Sequence, residues 1–338
     1  MKDLQTYCTP SANRKIILLL ALMTAVVGGL SLCLGPEAIS LSDVFSGLLT
    51  SGDTVAARIV RYVRLPRTCA GLLAGATLAC SGVIVQVVLA NPLAAPSTLG
   101  VNAGAGLAAA LCCAIAPMAV AAVPFAAMGG AFLGAVVVLS IAERTGASRL
   151  TLVLAGVAMS GIFSAGVDCV LTFFPESLSG YSDFRIGGLA GVSMAQLGPA
   201  CWLIFPGLVA ALSLHNELDI LALGREQAQA LGLPARGLRL LALGIAAILA
   251  GAAVSFSGLL GFVGLMVPHM MRRLVGEESG PLLGASLFAG GTVLCGCDLL
   301  ARLIFAPYEL PVGIVMSLLG GPFFIFLLLC QKRGRIHG

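Results

Sequence analysis

The chain has 338 residues, 59% of them hydrophobic and only 10% charged, with a formal net charge of +4 and a mean hydropathy of +1.04. Soluble domains carry about a quarter charged residues, so this composition excludes a water-soluble fold. Apolar runs near the ~20 residues needed to cross a bilayer recur along the whole length, and alternating ten-residue segments are missing, which excludes a β-barrel. The expected fold class is all-α: a polytopic membrane protein.

In chain order, the predicted elements are ten spans, roughly 15–35, 65–90, 98–116, 119–142, 149–174, 197–214, 238–256, 259–275, 281–304 and 310–331. Arg14 and Lys15 precede the first run. That run is long for the apolar region of a signal peptide and no small-x-small cleavage site follows it cleanly, so an uncleaved first helix is expected after a tail of residues 1–14. Pro117 and Pro124 give the only punctuation between the third and fourth spans. The eighth is short and contains Pro268, so a broken or kinked helix is expected there. The 43 glycines suit helices that pack closely in lipid.

Lysines and arginines set the orientation. With the N-terminus cytoplasmic, the inside holds Lys2, Arg14, Lys15, Arg144, Arg149, Arg225, Arg236, Arg239, Arg272, Arg273, Lys332, Arg333 and Arg335, against Arg58, Arg61, Arg64, Arg67, Arg185 and Arg302 outside. The imbalance favours both termini inside. Four of the outer cations crowd into RIVRYVRLPRT, residues 58–68. Snorkelling of long side chains to headgroups explains such a cluster; so does a docking patch for an acidic partner or an anionic solute.

Two connections are longer than a turn. Residues 175–196 lie outside and 215–237 inside. The inner one, HNELDILALGREQAQALGLPARG, reads as short helices, with Asn216 able to cap the first and Gly224 and Gly232 as punctuation. The small Ala228 and Ala230 leave room for another surface to pack closely.

Chemistry-bearing motifs are few. Eleven cysteines are scattered, odd in number and without Cys-x-x-Cys; they read as small buried hydrophobes rather than metal ligands or disulfides. The histidines, His215, His269 and His337, are far apart. No P-loop, zinc-protease or nucleophile-elbow pattern occurs, so an enzyme is not expected. Within the spans, Asp298 and Arg302 stand four residues apart and are placed to pair. Asp168 has no such neighbour and is a candidate to line a solute path. From the residues alone the chain is a transport component with a structured cytoplasmic segment and no energy source of its own. An ion-coupled secondary transporter using Asp168, and a non-transport scaffold binding an external protein, are the alternatives.

Four stretches carry a resemblance: RLPRT (64–68), SGVIVQVVLANPLAAPSTLGVNAGAG (81–106), ALGREQAQALGLP (222–234), and GLLGFVGLMVPHMMRRLVG (258–276) with DLLARLIFAPYELPVGIVMSLLGGPFF (298–324). Together and in register, they resemble the permeases of the iron-chelate, haem and cobalamin ATP-binding-cassette (ABC) importers. The resemblance implies a single permease domain over 1–338 with the type II importer fold, paired with a second permease subunit. It also implies a cytoplasmic ATPase dimer that binds ATP and Mg²⁺, an extracytoplasmic solute-binding protein, and surrounding membrane lipid. No cofactor on this chain and no nucleic acid are implied. Residues 215–237 are similar to the family's ATPase-coupling segment, with Leu223, Gly224, Glu226, Ala228, Leu231 and Gly232 matching; Arg225 stands where the family often has an acid. Arg64, Arg67 and Arg302 match positions that receive acids from the binding protein. Gly146, Ala147 and Ser148 fall near the expected cytoplasmic gate, and Asn91, Asn102 and Asp168 flank the expected path. The expected location is a bacterial cytoplasmic (inner) membrane, and the expected cargo a metal chelate, a ferric siderophore before haem or cobalamin.

Overall fold

The computed structural model describes residues 10–37, 39–49, 54–145, 149–304, 306 and 308–335, and every regular element among them is helical. Ten longer helices answer the ten predicted spans: α1 (Pro10–Cys33), α4 (Leu65–Leu89), α5 (Val101–Ile115), α6 (Val123–Arg144), α7 (Arg149–Phe173), α9 (Met194–Ser213), α12 (Ala235–Ser257), α13 (Val263–Val275), α14 (Ser279–Ile304) and α15 (Val312–Arg335). Between them lie α2 (Leu41–Leu49), α3 (Val55–Ile59), α8 (Leu178–Ile186), α10 (His215–Ala222) and α11 (Arg225–Ala230). Among the described residues, seven helical stretches are long and apolar enough to cross a membrane, and two more, Val101–Ile115 and Val312–Leu327, are shorter apolar helices.

The core forms around α4. In its most apolar window 83% of residues are buried, against 11% for α1 at the periphery. Helices α12, α13 and α14 pack directly on α4, and α5 and α6 form a second pair that joins through α12. Small residues make this possible. A Cβ placed on Gly75 would lie 2.1 Å from the carbonyl oxygen of Gly290, and one on Gly290 would lie 2.3 Å from that of Gly75. Without a hydrophobic drive between helices in lipid, such backbone approach supplies the van der Waals contact that holds α4 against α14.

Pro268 does not break the eighth span. Helix α13 runs through it, correcting the expectation of an interruption. Proline lacks the N–H that would bond the carbonyl four residues back, which is that of Gly264. Gln86 of α4 replaces the missing donor, its Nε2 donating to Gly264 O at 3.2 Å. Its Oε1 accepts from Arg272 Nη1 at 3.0 Å, so the buried amide is satisfied at both ends. Asn216 is corrected too: α10 begins at His215, and its first turn has no side-chain cap.

Candidate functional site

The RIVRYVRLPRT stretch lies on one continuous helical rod. Helix α3 passes through a π-helical turn, Val60–Arg64, into α4. Residues three apart on an α-helix drift by about 60° per step, so four arginines at that spacing cannot share a face. The rod divides them in two: Arg58 and Arg61 are exposed, while Arg64 and Arg67 are buried.

The buried pair corrects the picture of a free cationic patch. Arg64, 3% exposed, turns back on the end of α1. Its Nη1 donates to the carbonyls of Leu32 and Cys33 at 3.0 and 2.6 Å, and Nη2 donates to the carbonyl of Glu37. The last carbonyls of a helix lack internal donors and carry partial negative charge. Arg64 satisfies them and its guanidinium is thereby committed within the chain.

Arg67, 5% exposed, enters an ionic cluster between α4 and α14. Its Nε and Nη2 grip Asp298, with Nε donating to Oδ2 at 2.9 Å and Nη2 to Oδ1 at 2.9 Å. Its remaining Nη1 donates to Glu309 Oε2 at 2.5 Å. Arg302, 2% exposed, approaches Asp298 Oδ2 through Nε at 3.2 Å, as the four-residue spacing predicts. That approach is ionic rather than an aligned hydrogen bond. Arg302 Nη2 donates to Ser31 Oγ at 2.8 Å, and Ser31 is hydrogen-bonded to Thr68 at 2.8 Å. Two cations and two carboxylates thus balance, and α1, α4, α14 and the connection before α15 meet there. Glu309, Ser31 and the second role of Asp298 were not foreseen in the sequence. Glu309 sits in an irregular stretch, where spacing gives no hint of a partner.

A second feature is a cavity of ≈ 490 Å³ between α5, α7 and α8. Its lining includes Asn102, Ser160, Ser164, Asp168, Tyr181 and Arg185. Ser160, Ser164 and Asp168 recur every four residues, which sets them on one face of α7. Two of the three path candidates, Asp168 and Asn102, are therefore brought together. Asn91 is not: it is exposed beyond the end of α4, where its Oδ1 accepts from the Leu93 N–H at 2.9 Å in a local turn. Burial raises the Tyr181 phenol above its usual range, with Arg185 opposing and Asp168 adding to the rise. Tyr181 is accordingly a neutral hydroxyl at neutral pH.

The third feature is the elbow formed by α10 and α11. Gly224 and Gly232 bracket α11 with φ of 114° and 80°, a region that favours glycine. Leu223 and Leu231 are exposed on either side of it, while Ala228 is fully buried. Ala228 thus packs into this chain's own core and leaves no gap for another surface, which corrects its expected role. Leu218 and Leu221 bury the other face of the elbow. Asp219 Oδ1 accepts from the Ser279 N–H at 2.8 Å, capping the start of α14. The Glu226 side chain, and the gate candidates Gly146, Ala147 and Ser148, lie outside the described residues.

A family model described as the FecCD transport family matches residues 20–330. The chain is 37% identical over 321 residues to the Fe(3+)-citrate import system permease protein YfmE of Bacillus subtilis (strain 168), covering 94% of this chain and 95% of that protein. It is also 37% identical over 330 residues to the hemin transport system permease protein HmuU of Yersinia pestis, covering 95% of each. A solved structure of a metal-chelate type ABC transporter in an inward-facing conformation superposes with a TM-score of 0.84 at 29% identity, covering 94% of this chain and 99% of that one. Its all-helical bundle and its full-length likeness to these proteins lead to one conclusion: the chain belongs to the FecCD transport family and has the fold of an ABC importer permease.

Proposed function

We propose that the chain is the membrane-spanning subunit of an importer for an iron chelate, a ferric siderophore before haem or cobalamin, in a bacterial cytoplasmic membrane with both termini inside. Two permease subunits enclose the path. An ATPase dimer, carrying ATP and Mg²⁺, docks on the α10–α11 elbow, and an extracytoplasmic binding protein delivers the chelate at the opposite end.

The elbow is the observation that carries this reading. Leu223 and Leu231 stand exposed on a connection outside the apolar spans, where lipid does not cover them. An apolar pair displayed on a polar, structured segment suits a protein partner's groove. Through Leu218, Leu221 and Asp219 the elbow is held to the bundle, so a push on it reaches α14 as rigid-body motion.

The cargo class draws on the relatives named above and on the cavity. Among the described residues, hydroxyls, an amide, one acid and one base line it beside apolar Val167, Leu171 and Leu259, without cysteine, histidine or methionine. Such a lining suits an oxygen-rich chelate whose iron arrives already wrapped. The test is uptake of radio-iron chelates into proteoliposomes holding the permease, the ATPase and the binding protein. Uptake is expected only with hydrolysable ATP and both partners. Uptake driven by an ion gradient without the ATPase would overturn the reading.

A further inference from the structure

We propose that Glu309 is an intramolecular stand-in for a carboxylate of the delivering protein, and that docking exchanges one for the other on Arg67. The proposal rests on the importer reading above.

The hydrogen bonds separate one exchangeable carboxylate from the committed contacts. Arg64 is committed to three backbone carbonyls. Arg302 is committed to Asp298 and Ser31, both buried. Nε and Nη2 of Arg67 hold Asp298, which is 2% exposed. Nη1 of Arg67 is held instead by a side-chain carboxylate that reaches solvent: the Glu309 side chain is 34% exposed. Glu309 is also the one member of the four-charge cluster that is not on a helix, so it can leave without unwinding a span.

Charge balance points the same way. Without Glu309, two guanidiniums face one carboxylate, and the site carries a net charge of one positive unit. Arg58 and Arg61, exposed on the preceding turns of the same rod, add to the positive potential. A carboxylate arriving from outside meets a planar fork already desolvated and aimed. Replacing one carboxylate by another keeps the cluster neutral, so docking need not strand a buried charge, which is the costly outcome.

The experiment measures binding of the solute-binding protein encoded nearest the permease gene to permease in nanodiscs. Glu309→Gln removes the competing charge and is expected to tighten binding roughly 3- to 10-fold at low salt, the gain shrinking as salt is raised. Glu309→Asp keeps the charge and is expected to stay near wild type. Unchanged or weaker binding by Glu309→Gln overturns the proposal while leaving the importer reading intact. Equal tightening by Glu309→Asp also overturns it, because a loosened connection rather than charge would then be responsible. Absence of binding by wild type and variants alike overturns the docking reading itself.

Discussion

Asp219 accepts the Ser279 N–H at 2.8 Å, so the elbow between α9 and α12 closes the open end of α14. The far end of that helix holds Asp298 and Arg302. One helix therefore links the elbow to the ionic cluster at the other end of the bundle. A cap of this kind contributes about 1 kcal/mol. Asp219→Ala is expected to speed deuterium exchange of the amides at 279–282, while Asp219→Asn, which keeps an acceptor oxygen, restores most of the protection. Identical exchange in wild type and Asp219→Ala would remove the cap from this account.

Asp298 is shared by two buried guanidiniums, so its loss leaves Arg302 without its carboxylate and Arg67 with Glu309 alone. Asp298→Ala is expected to cost about 3–5 kcal/mol, read as a lowered midpoint of thermal unfolding in detergent. Glu309→Gln leaves the cluster with one positive charge in excess but keeps an amide oxygen able to accept from Arg67 Nη1, and is expected to cost less, about 1–3 kcal/mol. Equal losses would mean that the cluster is not centred on Asp298.

Gln86 supplies the donor that Pro268 withholds from Gly264 O. Gln86→Leu leaves that buried carbonyl unsatisfied and removes the acceptor of Arg272, with an expected cost of about 1–3 kcal/mol. Faster exchange confined to α13 would identify the cause. A variant as stable as wild type would show that another group satisfies the carbonyl.

Gly82 marks the closest crossing of α4 and α13. A Cβ there would lie 1.9 Å from Gly264 O, whereas one on Gly29 of α1 meets nothing within 4 Å. Gly82→Ala is expected to destabilise by about 3 kcal/mol or more, because backbone must move. Gly29→Ala is expected to be neutral or slightly stabilising, since alanine favours helix. Comparable yields of folded protein for the two would contradict the crossing.

Leu223 and Leu231 are exposed in the lone chain, so their replacement by serine removes no internal packing. The double variant is expected to change stability by less than about 0.5 kcal/mol yet to weaken ATPase association at least roughly tenfold. Unchanged association in a co-purification titration would move the ATPase contact elsewhere.

Much of the architecture was legible in the sequence, since each span needs ~20 apolar residues and each connection interrupts them. Gly224 and Gly232 were readable as punctuation because a positive φ selects glycine. The Asp298–Arg302 pair was readable because four residues bring side chains to one helix face. The internal partners of Arg64 and Arg67 were not legible, because they lie elsewhere in the chain: the end of α1, Asp298 and Glu309. Ala228 was misread because a small residue fits a partner's surface and a crowded core equally well. Gln86 gives no signal in the sequence, because Gly264 and Arg272 reach it only once α13 has packed against α4.

Composition and periodicity by themselves determined that the chain is a helical membrane bundle, where its spans run, and which residues could carry charge within them. These are local properties, set by what a bilayer accepts along each stretch of about 20 residues. Tertiary structure alone decided which charges are committed and which can be exchanged. A guanidinium's availability depends on carboxylates and carbonyls brought to it across helices, and Arg67 meets Asp298 and Glu309 only when α4, α14 and the connection before α15 have packed.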